Sequence, residues 1–155
     1  MIKKINIVYF FILLVLIGCT SQHDKKHDLS KIPKNIYFTQ QAELLFGSVL
    51  LNKMSFSSYS SDKVSYIIYS NDFKIENFNK DKNQLLKNNS WEFYKKINSS
   101  YIYCNGVDEL EIITPMSIYG NEKLHTGSTG MQLEDGWNIL FSHPKNSTTY
   151  ECNRR

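Results

Sequence analysis

The chain has no apolar run long enough to cross a membrane. Its longest, Ile7 to Ile17, is 11 residues, against the about 20 that a spanning helix needs. It also lacks a strong charge of either sign: 18 Lys and Arg stand against 15 Asp and Glu. Two of the lysines, Lys3 and Lys4, precede the apolar run, so residues 19–155 carry a formal +1 and the sequence pI of 8.6 overstates their basicity. A near-neutral chain gives no case for nucleic-acid binding, which relies on basic patches. Catalytic signatures are missing too. There is no G-x-S-x-G, H-E-x-x-H, phosphate-binding glycine loop or C-x-x-C, so neither a metal nor a cofactor is expected. Cysteine is scarce, with three in 155 residues.

The first cysteine explains the apolar run. Two positive charges, a short hydrophobic stretch and small residues form the pattern of an export signal. The stretch Leu16-Ile17-Gly18-Cys19 resembles the lipobox of bacterial lipoproteins. That resemblance covers residues 1–19 alone. It implies a diacylglycerol on the Cys19 thiol, cleavage before Cys19, and a mature chain held at the membrane by its lipid. Each buried methylene contributes about 0.8 kcal/mol, so two or more acyl chains make a stable anchor. Thr20 follows the cysteine, where inner-membrane members of the family typically carry Asp; the resemblance therefore favours the outer membrane, facing the periplasm.

With Cys19 committed to lipid, Cys104 and Cys152 remain. An even pair in an exported chain predicts a disulfide, because the periplasm oxidises thiols. On the chain-entropy model a bridge closing so long a loop stabilises by about 4 kcal/mol.

Residues 19–35 are polar and aperiodic, which reads as a lipidated flexible tether; His23 and His27 within it read as solvated. One globular domain is expected over 36–155. Its fold class is α+β, a mainly antiparallel sheet or meander with one N-terminal amphipathic helix. Thr39 reads as the helix N-cap, with Ala42, Leu45, Phe46, Val49 and Leu50 on one face and Gly47 in mid-pattern; a short buried strand is the alternative. A Ser-rich stretch, Ser55 to Asp62, breaks the pattern. "VSYIIYS" and "FKIENF" read as strands, the second with Phe73 and Ile75 on one face. A polar excursion with a helical turn at Leu85 and Leu86 follows. "WEFYKKI" fits a short helix capped by Ser90 or a strand. Beyond it, "SYIYCNG", "LEIITP", "MSIYG", "EKLHTG", "TGMQL", "WNILFSH" and "STTYECN" read as a meander, with a hairpin signal at Asp135-Gly136. Alternation puts Ile102 with Cys104, and Tyr150 with Cys152, so both cysteines face inward.

Few side chains suggest a site. His125 and Ser128 in "HTGSTG" read as turn chemistry, and His143 as a strand-end residue. The sequons at Asn88, Asn98 and Asn146 read as chance in an Asn- and Ser-rich chain. Asp108, Glu109, Glu111, Glu134 and Asp135 are candidate partner-binding residues: placed on one side, they would form an acidic patch that steers a basic partner. The aromatic content, 10 Tyr, 9 Phe and 2 Trp, adds possible interface anchors.

The expectation is an envelope-anchored, non-catalytic protein-binding module. Toxin-neutralising immunity lipoproteins and inhibitors of wall-lytic enzymes have this build, and the resemblance to them is one of build. The alternative is an accessory subunit of an envelope assembly, secretion or surface-exclusion system. An enzyme acting on wall or lipid would need a side-chain cluster that the sequence does not display.

Overall fold

Pro33 opens the first helix, α1 (Pro33–Phe46), at a position where its missing N–H costs nothing. The computed structural model describes residues 28–115, 136–146 and 149–154. A 3-10 turn at Leu29–Lys31 precedes α1, so the fold begins inside the stretch expected to be tether. Asn35 explains this: it is fully buried, and its side-chain amide donates to Leu29 O at 2.8 Å and Phe56 O at 3.2 Å. Thr39 is not the N-cap. It lies mid-helix, its hydroxyl donating to Asn35 O at 2.8 Å. The helix stops at Gly47, whose φ of +67° suits glycine and whose N–H returns to Glu43 O. A 3-10 turn, Gly47–Val49, continues the helical segment, and Val49 and Leu50 both pack on the core.

The remaining elements are β1 (Leu51–Ser57), β2 (Ser61–Tyr69), α2 (Ile75–Asp81), α3 (Asn83–Asn88), β3 (Glu92–Ile97), β4 (Ser100–Asn105), β5 (Asp108–Ile113) and β6 (Gly136–Pro144), then a 3-10 turn at Glu151–Arg154. The domain is α+β, with its N-terminal helix packed on a six-stranded antiparallel sheet of order β1-β2-β6-β5-β4-β3. β1–β2 and β3–β4–β5 are local hairpins, and β6 lies between them. It pairs β2 along its whole length and β5 on its other side.

Three local expectations change. The Ser-rich stretch is the β1–β2 hairpin rather than a break. "FKIENF" leads into helix α2, not a strand, because Ile75 and Phe78 are one helical turn apart and both buried. "STTYECN" contributes a 3-10 turn, not a strand. "WEFYKKI" resolves as strand β3, and the helical turn at Leu85 and Leu86 is α3. Met116 to Asp135, including "MSIYG", "EKLHTG" and "TGMQL", lie outside the described residues.

The main core forms between α1 and one face of the sheet. Phe38, Ala42, Leu45 and Phe46 meet Val64, Tyr66 and Ile68 of β2, Ile139 and Phe141 of β6, and Leu110 and Ile112 of β5. Gln41 shares this buried helix face because Trp91 Nε1 donates to its Oε1 at 2.9 Å, satisfying two buried polar groups. The other face of the sheet carries a smaller cluster around Ile102, Cys104 and Cys152. Cys104 and Cys152 form the expected disulfide, with Cα atoms 5.5 Å apart.

Candidate functional site

Of the candidate acidic residues, Asp108, Glu109 and Glu111 are buried. Strand β5 is buried at every position, and alternation divides its carboxylates between two faces. Asp108 is on the helix side, where Lys34 Nζ lies 2.9 Å from Oδ2 and His143 Nδ1 lies 2.6 Å from Oδ1. Glu109 is on the opposite face, and its Oε2 accepts the backbone N–H groups of Glu151 at 2.8 Å and Cys152 at 3.2 Å. Glu111 is also buried there, paired in register with Ile102 of β4 and Leu140 of β6. Glu134 and Asp135 lie outside the described residues, as do Cys19, His125 and Ser128. Asp108, Glu109 and Glu111 thus serve the interior, and the patch expected to steer a basic partner is not built from them.

A polar row that sequence reasoning missed closes one end of the sheet on the helix side. Ser57 of β1 is opposite Asp62 of β2, and Asp62 is opposite His143 of β6. His143 then meets Asp108 of β5, which is opposite Asn105 of β4. Each buried carboxylate holds a cation: Asp62 pairs with Lys145 at 2.6 Å, and Asp108 with Lys34. Asn105 Nδ2 donates to the Tyr37 hydroxyl at 3.1 Å. Burial, then the negative charge of Asp108, raises the Tyr37 phenol above its ordinary value. Lys34 also sits 5.1 Å from the centre of the Tyr37 ring. This network binds the start of α1 to the sheet end. Among the described residues, no group of three His, Cys, Asp or Glu side chains is placed to hold a metal ion.

The surface feature that stands out is the β1–β2 hairpin. Met54 and Phe56 pair with Ser65 and Lys63, so they share the sheet face turned away from α1. Both are exposed, and Tyr59 at the tip is 83% exposed. The tip backbone is nevertheless tightly held. Ser58 N donates to Ser61 O at 2.9 Å, and the Ser58 hydroxyl accepts from Ser60 N and Ser61 N at 3.2 Å each. From β6 and its following residues, Lys145 N donates to Ser60 O at 2.9 Å and Asn146 Nδ2 to Tyr59 O at 3.1 Å. Lys145 Nζ reaches Ser57 Oγ and Ser58 O at 3.2 and 3.3 Å. The serines that looked like a break are the hydroxyl and carbonyl partners that fix a tight turn.

No family model, curated protein or solved structure matches the chain.

Proposed function

We propose that the protein is a lipid-anchored envelope protein acting as a non-catalytic protein-binding module, of the inhibitor or immunity type, that neutralises a toxin or lytic enzyme in the periplasm. The observation that supports this reading is the β1–β2 hairpin, where Met54, Phe56 and Tyr59 offer apolar surface on a hydrogen-bonded backbone. Aromatic anchors held in place before binding lose little conformational entropy in a complex and commonly dominate its energy. Capture is through these exposed side chains. The lipid on Cys19 keeps this surface at the outer membrane, in the path of an envelope-directed enzyme.

The test places a photo-crosslinking amino acid at Tyr59, and separately at Gln40 on the exposed side of α1, in the full lipidated chain in cells. Position 59 is expected to give one discrete adduct with a toxin or wall-lytic enzyme, whose activity falls on titration with the protein. Position 40 is expected to give none. No adduct at 59, or equal adducts at both, overturns the reading. An adduct with a component of an assembly, secretion or surface-exclusion system favours the accessory-subunit alternative instead.

A further inference from the structure

A hollow of about 240 Å³ opens between the end of α1 and α2. Its floor is Leu45, Phe46, Phe73 and Phe78. Three of these are rings packed on one another, with Phe46 and Phe78 stacked at 4.9 Å and Phe73 against them at 5.8 and 5.5 Å. The three rings are 5–9% exposed, so the hollow reaches the edge of the aromatic core, where the rings are already fixed by mutual contact. An apolar floor of this kind favours an occupant with a flat or bulky apolar body.

The mouth has a different character. Asp72 and Lys74, just before α2, and Asp81 and Lys82, at its end, line it. Elsewhere in the domain the buried carboxylates Asp62, Asp108 and Glu151 are each engaged by a lysine. These four rim side chains have no ion pair or side-chain hydrogen bond among the described residues. Two cations and two anions, without an internal partner among the described residues, line an apolar floor. A ligand with a single charge would leave half of the rim's charges without a counterpart. A ligand bearing both signs next to an apolar group matches them all. Size narrows the class further, since drug-sized ligands occupy pockets of about 300–1,000 Å³.

We propose that this hollow is a binding site for a small zwitterion with an apolar body, namely a free amino acid with an aromatic or large aliphatic side chain. The side chain lies on the phenylalanine floor, the carboxylate faces Lys74 and Lys82, and the ammonium faces Asp72 and Asp81. The site is separate from the β1–β2 hairpin and does not depend on what that hairpin captures.

The test is calorimetric titration of the full lipidated chain in detergent micelles with phenylalanine. Phenethylamine, which lacks the carboxylate, and 3-phenylpropionate, which lacks the ammonium, are the comparison ligands. Phenylalanine is expected to bind about tenfold more tightly than either, the loss expected from removing one charged contact. Lys74→Ala with Lys82→Ala is expected to weaken phenylalanine and 3-phenylpropionate and to spare phenethylamine. Asp72→Asn with Asp81→Asn is expected to weaken phenylalanine and phenethylamine and to spare 3-phenylpropionate. The altered side chains lie at the rim, so circular dichroism of each variant should match the parent. The absence of binding up to about 10 mM phenylalanine, weaker than the millimolar range of small-fragment affinities, overturns the proposal. Equal affinity for the three ligands, or rim variants that bind unchanged, also overturns it.

Discussion

Glu109 shows how much one side chain does in this domain. Its carboxylate caps two backbone N–H groups at the start of the C-terminal turn, beside the disulfide that fastens the same turn to β4. Hydrogen bonds to a charged acceptor contribute about 1.5–3 kcal/mol each. Glu109→Gln keeps one acceptor oxygen but loses the charge, so it should lower unfolding stability by about 1–3 kcal/mol, read as a shift in the urea midpoint. Replacing both cysteines by alanine removes a cross-link across 48 positions and should cost about 4 kcal/mol on the chain-entropy model. In a domain of ordinary stability that is a large share of the total, and the two perturbations should couple, because both act on one turn. Additive midpoint shifts would show that the cap and the bridge act independently.

Tyr103 gives a pH dependence with a definite sign. Burial raises its phenol well above the ordinary value, although its hydroxyl donates to Asn79 Oδ1. Tyr66 is raised by burial in the same direction. Below about pH 10 the phenol is protonated in both folded and unfolded chains, so stability does not respond. Above it the unfolded phenol ionises while the folded one holds its proton. Stability should then fall by about 1.4 kcal/mol per pH unit on account of Tyr103, with Tyr66 acting in the same direction. Urea midpoints compared on either side of pH 10 measure the slope, and Tyr103→Phe should flatten it. An unchanged slope in that variant would assign the effect to other groups.

At the scale of elements, the hairpin and strand β5 teach opposite lessons about alternation. Along β5, alternation correctly separates Leu110 and Ile112 from Glu109 and Glu111. What it does not carry is that the second face is also covered, so acidic residues that look solvent-directed become internal. In the hairpin, the serines mask a strand because their contribution is hydrogen bonding rather than apolar periodicity. Phe56→Ser with Tyr59→Ser should change unfolding stability by no more than about 0.5 kcal/mol, since exposed sites away from caps and cores are tolerant. The same double variant should lose the adduct with the captured enzyme and its inhibition. A stable variant with undiminished inhibition would show that the partner docks elsewhere.

For the whole molecule, two local hairpin units become one sheet only when β6 enters between them. The pairing of β6 with β2 joins residues far apart in sequence, so it carries a larger chain-closure cost than the hairpins do. The polar row at the sheet end exists only after this step, because His143 contributes from β6 and Asp62 and Asp108 from the strands on either side. The proposed lipid anchor is also a matter of the whole molecule. Cys19→Ser should move the protein from the membrane fraction to the soluble fraction and abolish palmitate labelling, with the Cys104–Cys152 bridge retained. Retention in the membrane fraction would refute the lipid-anchor reading.

Read alone, the sequence determined the α+β class, the N-terminal helix, most of the strands and the cysteine pairing, because these follow from apolar periodicity and from counting thiols. The helix start escaped it, since Asn35 is polar and is buried only by carbonyl partners at Leu29 and Phe56. Tertiary structure alone decided the strand order, the polar row, the fate of the acidic residues and the hollow beside α2. Those features depend on register and on which face another element covers, and both are set by contacts between residues far apart in the chain.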